Sequence, residues 1–198
     1  MDCKRLIDES MVRRVFTEIV PGRWTEIRVL DGQMAGQRRP WTYSGYFRDA
    51  ETAIRQLKRF TSWVSVCYTP NELDERCHHR TPNEFSSGKN LAASDRDITR
   101  RRWLLVDVDV QRPAGISASD EEIAKAEALA DCIHLHMSAE GFPPPIRCFS
   151  GNGHHIMYRI DLPADDEGTV QRTLQWLSNR FSADGVKIDT TTHNATRI

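Results

Sequence analysis

The sequence predicts an α+β fold whose second half alternates strands and helices in the order β-α-β-β-α-β. An apolar strand at residues 103–110 precedes a capped amphipathic helix. Two strands joined by a glycine-rich turn follow, and a second amphipathic helix leads to a short strand at residues 186–189. This order is typical of an RNA-recognition-motif-like (RRM-like, ferredoxin-like) sheet with both helices on one face.

The first part of the chain, residues 1–99, is predicted to form an N-terminal α/β unit. Apolar residues occur there both at helical spacing and in short runs rich in aromatic and β-branched residues. The predicted elements are, in chain order, a helix ending at Pro21-Gly22, a strand at residues 24–30, a helix capped by Asp49 and extending to Phe60, a strand at residues 63–68 and a long polar loop at residues 69–99.

The second part, residues 100–198, is predicted to form the RRM-like unit. Ser119 and Glu122 form a capping box, and Gly141 and Pro143 end the helix that follows it. The remaining predicted elements are strands at residues 146–149 and 155–160 joined by Ser150-Gly151-Asn152-Gly153, a helix capped by Asp165 or Asp166, and the strand at residues 186–189.

Composition restricts the function classes. The 198 residues include 27 Lys and Arg against 28 Asp and Glu, a formal net charge of −1. This balance excludes a protein that holds nucleic acid by bulk positive charge, while a local basic groove stays open. No apolar run approaches the roughly 20 residues that cross a bilayer. Five scattered cysteines form no disulfide framework, so we expect a reduced cytoplasmic protein without a membrane partner.

The strongest candidate for a functional site is Asp107-Val108-Asp109. Side chains alternate along a strand, so both carboxylates point to one face and the flanking apolar residues to the other. The carboxylates repel each other, and a hard divalent cation with oxygen ligands removes that conflict. The alternative is a strand end exposed to solvent. A haloacid-dehalogenase-type phosphatase also uses D-x-D, but it requires Thr or Val where this chain has Gln111.

The second candidate is the segment Ser150-Gly151-Asn152-Gly153-His154-His155. Glycines in a tight turn let backbone N–H groups approach an anion, and a hydroxyl and an imidazole beside it donate hydrogen bonds to a triphosphate. Alternation places His154 and His155 on opposite faces of the strand. The alternative is a plain hairpin turn with exposed histidines. A rolling-circle nuclease needs two histidines separated by one hydrophobic residue, so that both face the same side of a strand. Adjacent histidines do not provide this arrangement.

Three further residues are weaker candidates. Asp189 ends the last predicted strand, a position that is unremarkable by itself. Arg147 lies close to the glycine turn along the chain and is a candidate charge clamp for phosphates, although a surface arginine explains it equally well. Arg197, near the last residue, is the weakest of the three.

Three motifs follow one another in the chain: Asp107-Val108-Asp109, the segment from Ser150 to His155, and Ile188-Asp189. In combination they resemble the motifs of the archaeo-eukaryotic primase superfamily, the primase-polymerases, in order and spacing over residues 63–198. Other segments are similar to a group of these proteins from bacteria, phages and mobile elements. The segments are Gly45-Tyr46-Phe47, residues 94–98, Arg100-Arg101-Arg102-Trp103 and residues 194–198. In that family more sheet, helix and template-binding surface normally follow the third motif, and we expect a longer chain or a partner to supply them.

The resemblance implies a metal-dependent nucleotidyltransferase that synthesises primers or extends nucleic acid on a single-stranded template in DNA replication or repair. It implies Asp107, Asp109 and Asp189 as catalytic ligands of two Mg²⁺ or Mn²⁺ ions. The nucleoside triphosphate is expected to contact Ser150, Gly151, Gly153, His155, Arg147 and Arg197. Other expected partners are single-stranded DNA and a replicative helicase or another replication protein, in the cytoplasm of a bacterial cell and encoded by the cell, a phage or a plasmid.

Template binding is expected along a groove formed by Arg100, Arg101 and Arg102, with Trp103 or Tyr158 stacking on a base. Two other classes stay open. One is a catalytically weak replication-initiator or single-strand-binding module that keeps the fold. The other is a metal-dependent nuclease or phosphatase that uses the same carboxylates.

Overall fold

The computed structural model describes residues 7–113, 116–183 and 185–196, which form two compact units. The first unit comprises the described residues up to Arg100 together with Thr196, and the second runs from Arg101 to Ala195. Helices and antiparallel strand pairs occur in both. The α+β class predicted from the sequence is therefore confirmed.

The first unit contains an antiparallel sheet with β1 paired to three other strands. The first helix continues as one π-helical turn, Val15–Ile19, before Pro21-Gly22. The elements in chain order are α1 (Glu9–Arg14), β1 (Thr25–Met34), β2 (Trp41–Phe47), α2 (Ala50–Leu57), β3 (Phe60–Ser62), β4 (Ser65–Tyr68) and β5 (Glu72–Leu73). Asp49 caps α2, because its Oδ1 accepts a hydrogen bond from the Thr52 N–H at 2.8 Å.

Three boundaries in this unit differ from the predictions. The strand predicted at residues 63–68 begins at Ser65, and the other two differences are in β1 and α2. β1 continues past the predicted end at Leu30, because the chain passes through Asp31 with φ of +48° and stays in the sheet after a register shift. Helix α2 ends at Leu57, and Phe60 belongs to β3 instead. There its ring packs edge-on against Tyr43 and Phe85, at centroid distances of 5.1 and 5.3 Å.

The long polar loop predicted for residues 69–99 is wrong in part. This segment contains β5 and two 3₁₀ turns, Glu75–Arg80 and Asp95–Asp97. The Arg80 guanidinium donates to both carboxylate oxygens of Asp97, at 2.6 and 3.1 Å, and joins the two turns. Polar contacts between residues distant in the sequence stabilise the structure of this segment. Local hydrophobic periodicity does not reveal such contacts.

The second unit has the element order β-α-β-β-α-β. The longest strand, β6, starts before the boundary between the units, at Ile98. The elements are β6 (Ile98–Val110), α3 (Asp120–Ala139), β7 (Ile146–Phe149), β8 (Gly153–Pro163), α4 (Thr169–Phe181), β9 (Val186–Asp189) and a 3₁₀ turn (Thr190–His193). Strand neighbours across this sheet run β9-β6-β8-β7.

The predicted start of α3 is confirmed, and that of α4 needs adjustment. The Ser119 side chain accepts from the Glu122 N–H, and the Glu122 carboxylate accepts from the Ser119 N–H at 2.8 Å. For α4, Asp166 accepts from the Val170 N–H at 2.7 Å, but the N-cap position itself is Gly168. Among the described residues, no helix is both long and apolar enough to cross a membrane.

The core of the second unit lies between one face of its sheet and the two helices. Strand residues at alternate positions supply one side, and apolar stripes of α3 and α4 supply the other. The residues are Leu104, Val106, Val108, Val110, Ile156, Tyr158, Val186 and Ile188 from strands, and Ala126, Ala130, Ile133, Met137, Val170, Leu174 and Leu177 from helices. This packing directs the intervening strand side chains to the opposite face of the sheet. We call it the open face, because neither α3 nor α4 covers it.

Candidate active site

Three aspartates from two strands share the open face of this sheet. Asp107 and Asp109 alternate with the core residue Val108. In the antiparallel pair of β6 and β9, Asp107 lies directly opposite Asp189, and Asp109 lies opposite Lys187. Side chains of directly opposed residues project to the same face. Asp107 and Asp189, which are far apart in the sequence, are therefore placed side by side.

The electrostatic environment of Asp109 reflects this crowding. Burial, and then the negative charge of Asp107, raise the pKa of Asp109 above its ordinary value. Arg112 opposes that rise, and the Asp189 charge adds to it. A carboxyl group with a raised pKa binds protons more readily than in water, and a cation beside it would relieve the same repulsion.

Asp107 has one buried oxygen atom without a hydrogen-bond donor. Its side chain is 13% exposed, and no described residue donates a hydrogen bond to Oδ1. The nearest cationic candidate is His155 on β8, whose Nε2 lies 3.3 Å from Oδ1, within ion-pair distance but outside hydrogen-bond geometry. A buried carboxylate oxygen without a donor is costly for the fold, which favours a ligand at this position.

The two histidines lie on opposite faces, as predicted. His155 pairs with Cys148 across the β7–β8 hairpin and approaches Asp107. His154 pairs with Phe149, and its ring centroid lies 5.5 Å from that of Phe149. Burial lowers the pKa of His154, with the Glu127 charge as the main opposing influence. Only His155 is therefore in reach of the aspartates.

The glycine turn lies against the aspartates through Gly153. A Cβ atom at this position would overlap the carbonyl oxygen of Val108 and lie 3.2 Å from Asp109 Oδ1. Only glycine permits this approach of two strands. The Ser150 N–H donates to the Gly153 carbonyl at 3.0 Å, so this N–H closes the turn, whereas the Ser150 side chain is exposed. Gly151 has φ of +94° and lies at the exposed tip of the turn.

Asp189 has a structural role as well as its place on the open face. Its two carboxylate oxygens accept from the N–H and the hydroxyl of Thr191, each at 2.8 Å, and cap the following 3₁₀ turn. Among the residues that the structure describes, no group of three His, Cys, Asp or Glu side chains forms a ready-made metal-binding arrangement. Each carboxylate oxygen has two lone-pair positions, so Asp189 can cap the turn and still bind a cation.

The residues present fit divalent cations best at Asp107 and Asp109. The fit is supported by the unpartnered Oδ1 atom of Asp107 and by the raised pKa of Asp109. Carboxylate oxygens are the ligands that Mg²⁺ and Mn²⁺ prefer. Asp189 would join as a third ligand by a side-chain adjustment, because it already lies opposite Asp107.

The structure does not bring Arg147, the candidate phosphate clamp, together with these residues. It pairs with Ile156 across the hairpin, and Ile156 is a core residue on the helix side of the sheet. Its guanidinium forms an ion pair with Asp131 of α3 at 2.5 Å. Proximity along the chain is misleading here because adjacent strand residues face opposite ways. Arg197 lies outside the described residues.

The predicted template groove also needs correction. The Arg101 side chain is 12% exposed and donates to the carbonyl oxygens of Ala164 and His193, so it holds the second unit together. Trp103 and Tyr158 are buried, so neither ring is available to stack on a base. Trp103 instead contacts the Arg159 guanidinium, 5.6 Å from its ring centroid.

Arg112 was missed in the sequence, and Asn152 was named there only as part of the glycine turn. Arg112 lies two residues after the end of β6, and its charge opposes the rise in the pKa of Asp109. Its buried Nε atom has no hydrogen-bond partner among the described residues. Asn152 accepts from the Ala118 N–H at 3.0 Å and ties the glycine turn to the chain before α3. A basic residue three positions after Asp109 was the available signal for Arg112.

Comparison of the chain with protein-family models, with curated proteins and with solved structures gives no match in any of the three. The assignment of a function therefore depends on the geometry of the site itself.

Proposed function

We propose that this protein is a metal-dependent nucleotidyltransferase of the primase-polymerase type, which extends or initiates nucleic acid on a single-stranded template. The observation that carries the proposal is the meeting of Asp107, Asp189 and His155 on one face of the sheet, with Asp109 beside them. These residues belong to three motifs that are separate in the sequence. A structural role for each motif alone would not require them to meet.

The topology of the second unit supports this proposal. Its strand order, β9-β6-β8-β7, is the order that an RRM-like β-α-β-β-α-β unit takes, with the first and third strands in the centre. Both helices pack on one face of the sheet, so the aspartates lie on the face that carries neither helix. The central strands carry Asp107 and His155, so the aspartates and the glycine turn are held by the most constrained part of the sheet.

The side chains suggest a division of tasks. Asp107 and Asp109 would hold divalent cations, with Asp189 as a third ligand. When bound, the ions supply charge neutralisation for the attacking 3′-oxygen and the departing pyrophosphate. His155 is placed to donate a hydrogen bond to a phosphate oxygen beside Asp107, and the exposed Ser150 hydroxyl to one at the turn. No strong general base is needed, since phosphoryl transfer depends mainly on positioning and charge neutralisation.

The proposal is tested by primer synthesis and extension on a single-stranded template with Mg²⁺ or Mn²⁺, using deoxy- and ribonucleotides separately. Asp107→Asn and Asp109→Asn should each reduce incorporation by more than a hundredfold, on the order of 3 kcal/mol of transition-state stabilisation. Asp131→Asn is the matched control, because it removes the same charge from the helix side of the sheet. Chelator should abolish incorporation.

Two results would contradict the proposal. One is near-normal incorporation by either Asp107→Asn or Asp109→Asn. The other is metal-dependent shortening of the strand without nucleoside triphosphate, which would assign the same carboxylates to a nuclease. Circular dichroism should remain native in both variants, since neither side chain belongs to the core.

A further inference from the structure

The tip of the β1–β2 hairpin in the first unit carries an exposed aromatic ring and two exposed arginines. We call residues 35–41 the hairpin tip. Trp41 is 57% exposed, and Arg38 and Arg39 are exposed as well. Within the described part of the chain, neither of these arginines has an ion-pair or hydrogen-bond partner through its side chain. The tip therefore carries two uncompensated positive charges within three residues of an exposed tryptophan along the chain.

Three arginines elsewhere in this unit are paired with carboxylates. Arg13 contacts Glu51 at 2.7 Å, Arg28 contacts Glu26 at 2.8 Å, and Arg80 contacts Asp97 at 2.6 Å. Arg59 adds a further cation close to the hairpin tip. It donates to the neutral Gln56 side chain, and it directly precedes Phe60, which pairs with Met34.

The tip is held in shape by one glutamine. The Gln37 Oε1 atom accepts from the Met34 N–H at 2.9 Å and from the Tyr43 hydroxyl at 2.7 Å. The Gln37 carbonyl oxygen accepts from the Gln33 side chain at 2.7 Å. Pro40, directly before Trp41, further restricts the backbone. These hydrogen bonds already hold the loop in one conformation, so binding a ligand would cost the loop little conformational entropy.

We propose that the hairpin tip binds single-stranded nucleic acid, with Trp41 stacking on a base and Arg38 and Arg39 contacting phosphates. Guanidinium groups bind phosphate with fixed geometry, and an exposed indole beside them is a platform for a base. A single strand is favoured over a duplex, because only unpaired bases offer their faces for stacking. The chain has a net charge of −1, so attraction to a polyanion has to be local. The proposal does not depend on catalysis in the second unit.

Binding is measured by the fluorescence anisotropy of a labelled oligothymidine in chelator, over a series of salt concentrations. Chelator prevents nucleotidyl transfer, so a failure of the proposed function would not affect this result. The variants are Trp41→Ala, Trp41→Tyr and the double variant Arg38→Gln with Arg39→Gln. The matched control is Trp176→Ala, which removes a 48% exposed tryptophan with an arginine, Arg180, 5.8 Å from its ring.

Trp41→Ala should weaken binding roughly 5- to 150-fold, whereas Trp41→Tyr should retain most of the affinity because it keeps an aromatic face. The double arginine variant should reduce the slope of log affinity against log salt by about 1.4, for two lost phosphate contacts. Trp176→Ala should bind like the wild type.

The proposal is overturned if the wild type does not bind the oligonucleotide, or if the Trp41 and arginine variants bind as tightly as the wild type. Equal affinity for a duplex of the same length would overturn the preference for single strands. Displacement of the oligonucleotide by polyglutamate, together with unchanged oligonucleotide affinity of Trp41→Ala, would assign the tip to an acidic protein instead.

Discussion

The two units treat their sheltered carboxylates in opposite ways. In the first unit, the fully buried Glu26 accepts from the Arg28 guanidinium through both oxygens, each at 2.8 Å, and from the Ala93 N–H. Asp97 is likewise paired with Arg80. In the second unit, Asp107 and Asp109 lie on one strand face with like charge as neighbours, and the His155 imidazole lies 3.3 Å from Asp107 Oδ1.

This difference separates a structural carboxylate from one available to a ligand. The Arg80 guanidinium holds the pKa of Asp97 far below its ordinary value, whereas burial and the Asp107 charge raise the pKa of Asp109. Like charges on one strand face destabilise the fold, and the proposed function would account for them by a bound divalent cation.

The largest effect is expected from breaking the Arg28–Glu26 pair. Arg28→Met should lower the free energy of unfolding by about 3–5 kcal/mol, because it leaves a buried, uncompensated Glu26 carboxylate. Urea denaturation measures this loss. The double variant Arg28→Met with Glu26→Gln should recover part of it, since the orphaned charge is gone. A loss below about 1 kcal/mol would mean that this pair does not stabilise the first unit.

The next effect concerns the site in the second unit. His155→Ala should weaken triphosphate binding in the presence of Mn²⁺ by about 1.5–3 kcal/mol, as for a lost hydrogen bond to a charged group. His154→Ala should change it much less, because His154 lies on the other face, with Phe149 as its pair. Nucleotide titration of both variants checks the difference. Equal losses would be incompatible with His155 alone facing the aspartates.

Local sequence patterns predicted those parts of the site that depend on one element. The alternation of β6 placed Asp107 and Asp109 on one face, and the adjacent histidines were assigned to opposite faces correctly. The capping box at Ser119 fixed the start of α3. These features follow from backbone periodicity and short-range hydrogen bonds, which the sequence states directly.

Features that depend on a distant partner could not be predicted in the same way. Arg147 is near the glycine turn along the chain, yet Asp131 of α3 holds it on the helix side. Arg101 looked like part of a basic run, but carbonyl oxygens from two distant segments bind it in the interior. The local sequence around a basic residue looks the same whether its side chain lines a groove or lies in a buried ion pair. Only the folded structure distinguishes the two locations.

A smaller effect is expected from the pH dependence of the Asp97–Arg80 pair. The folded-state pKa of Asp97 is depressed, so its contribution is present above the unfolded pKa and is lost as the pH falls through the folded value. Asp97→Asn should cost about 1–2 kcal/mol near pH 7, allowing for partial solvent screening. The gap between wild type and variant should narrow below about pH 5 in thermal melts. A gap that stays constant to pH 3 would show that Asp97 is not stabilised by its charge.

The smallest effect, with the opposite sign, is expected for Asp109. Its folded-state pKa is raised, so the contribution of this group is favourable below the unfolded pKa and is lost as the pH rises through the folded value. At neutral pH in chelator, Asp109→Asn should therefore melt at or above the wild-type temperature. The gain in the free energy of unfolding should be no more than about 1 kcal/mol after solvent screening. The difference should disappear as the pH falls through the raised pKa, because the wild-type carboxyl then becomes neutral as well. Asp97→Asn and Asp109→Asn remove the same charge and are measured in the same melts, so each serves as the control for the other. A destabilised Asp109→Asn at neutral pH would show that Asp109 has a stabilising partner in the apo protein, and the contrast between the two units would then fail.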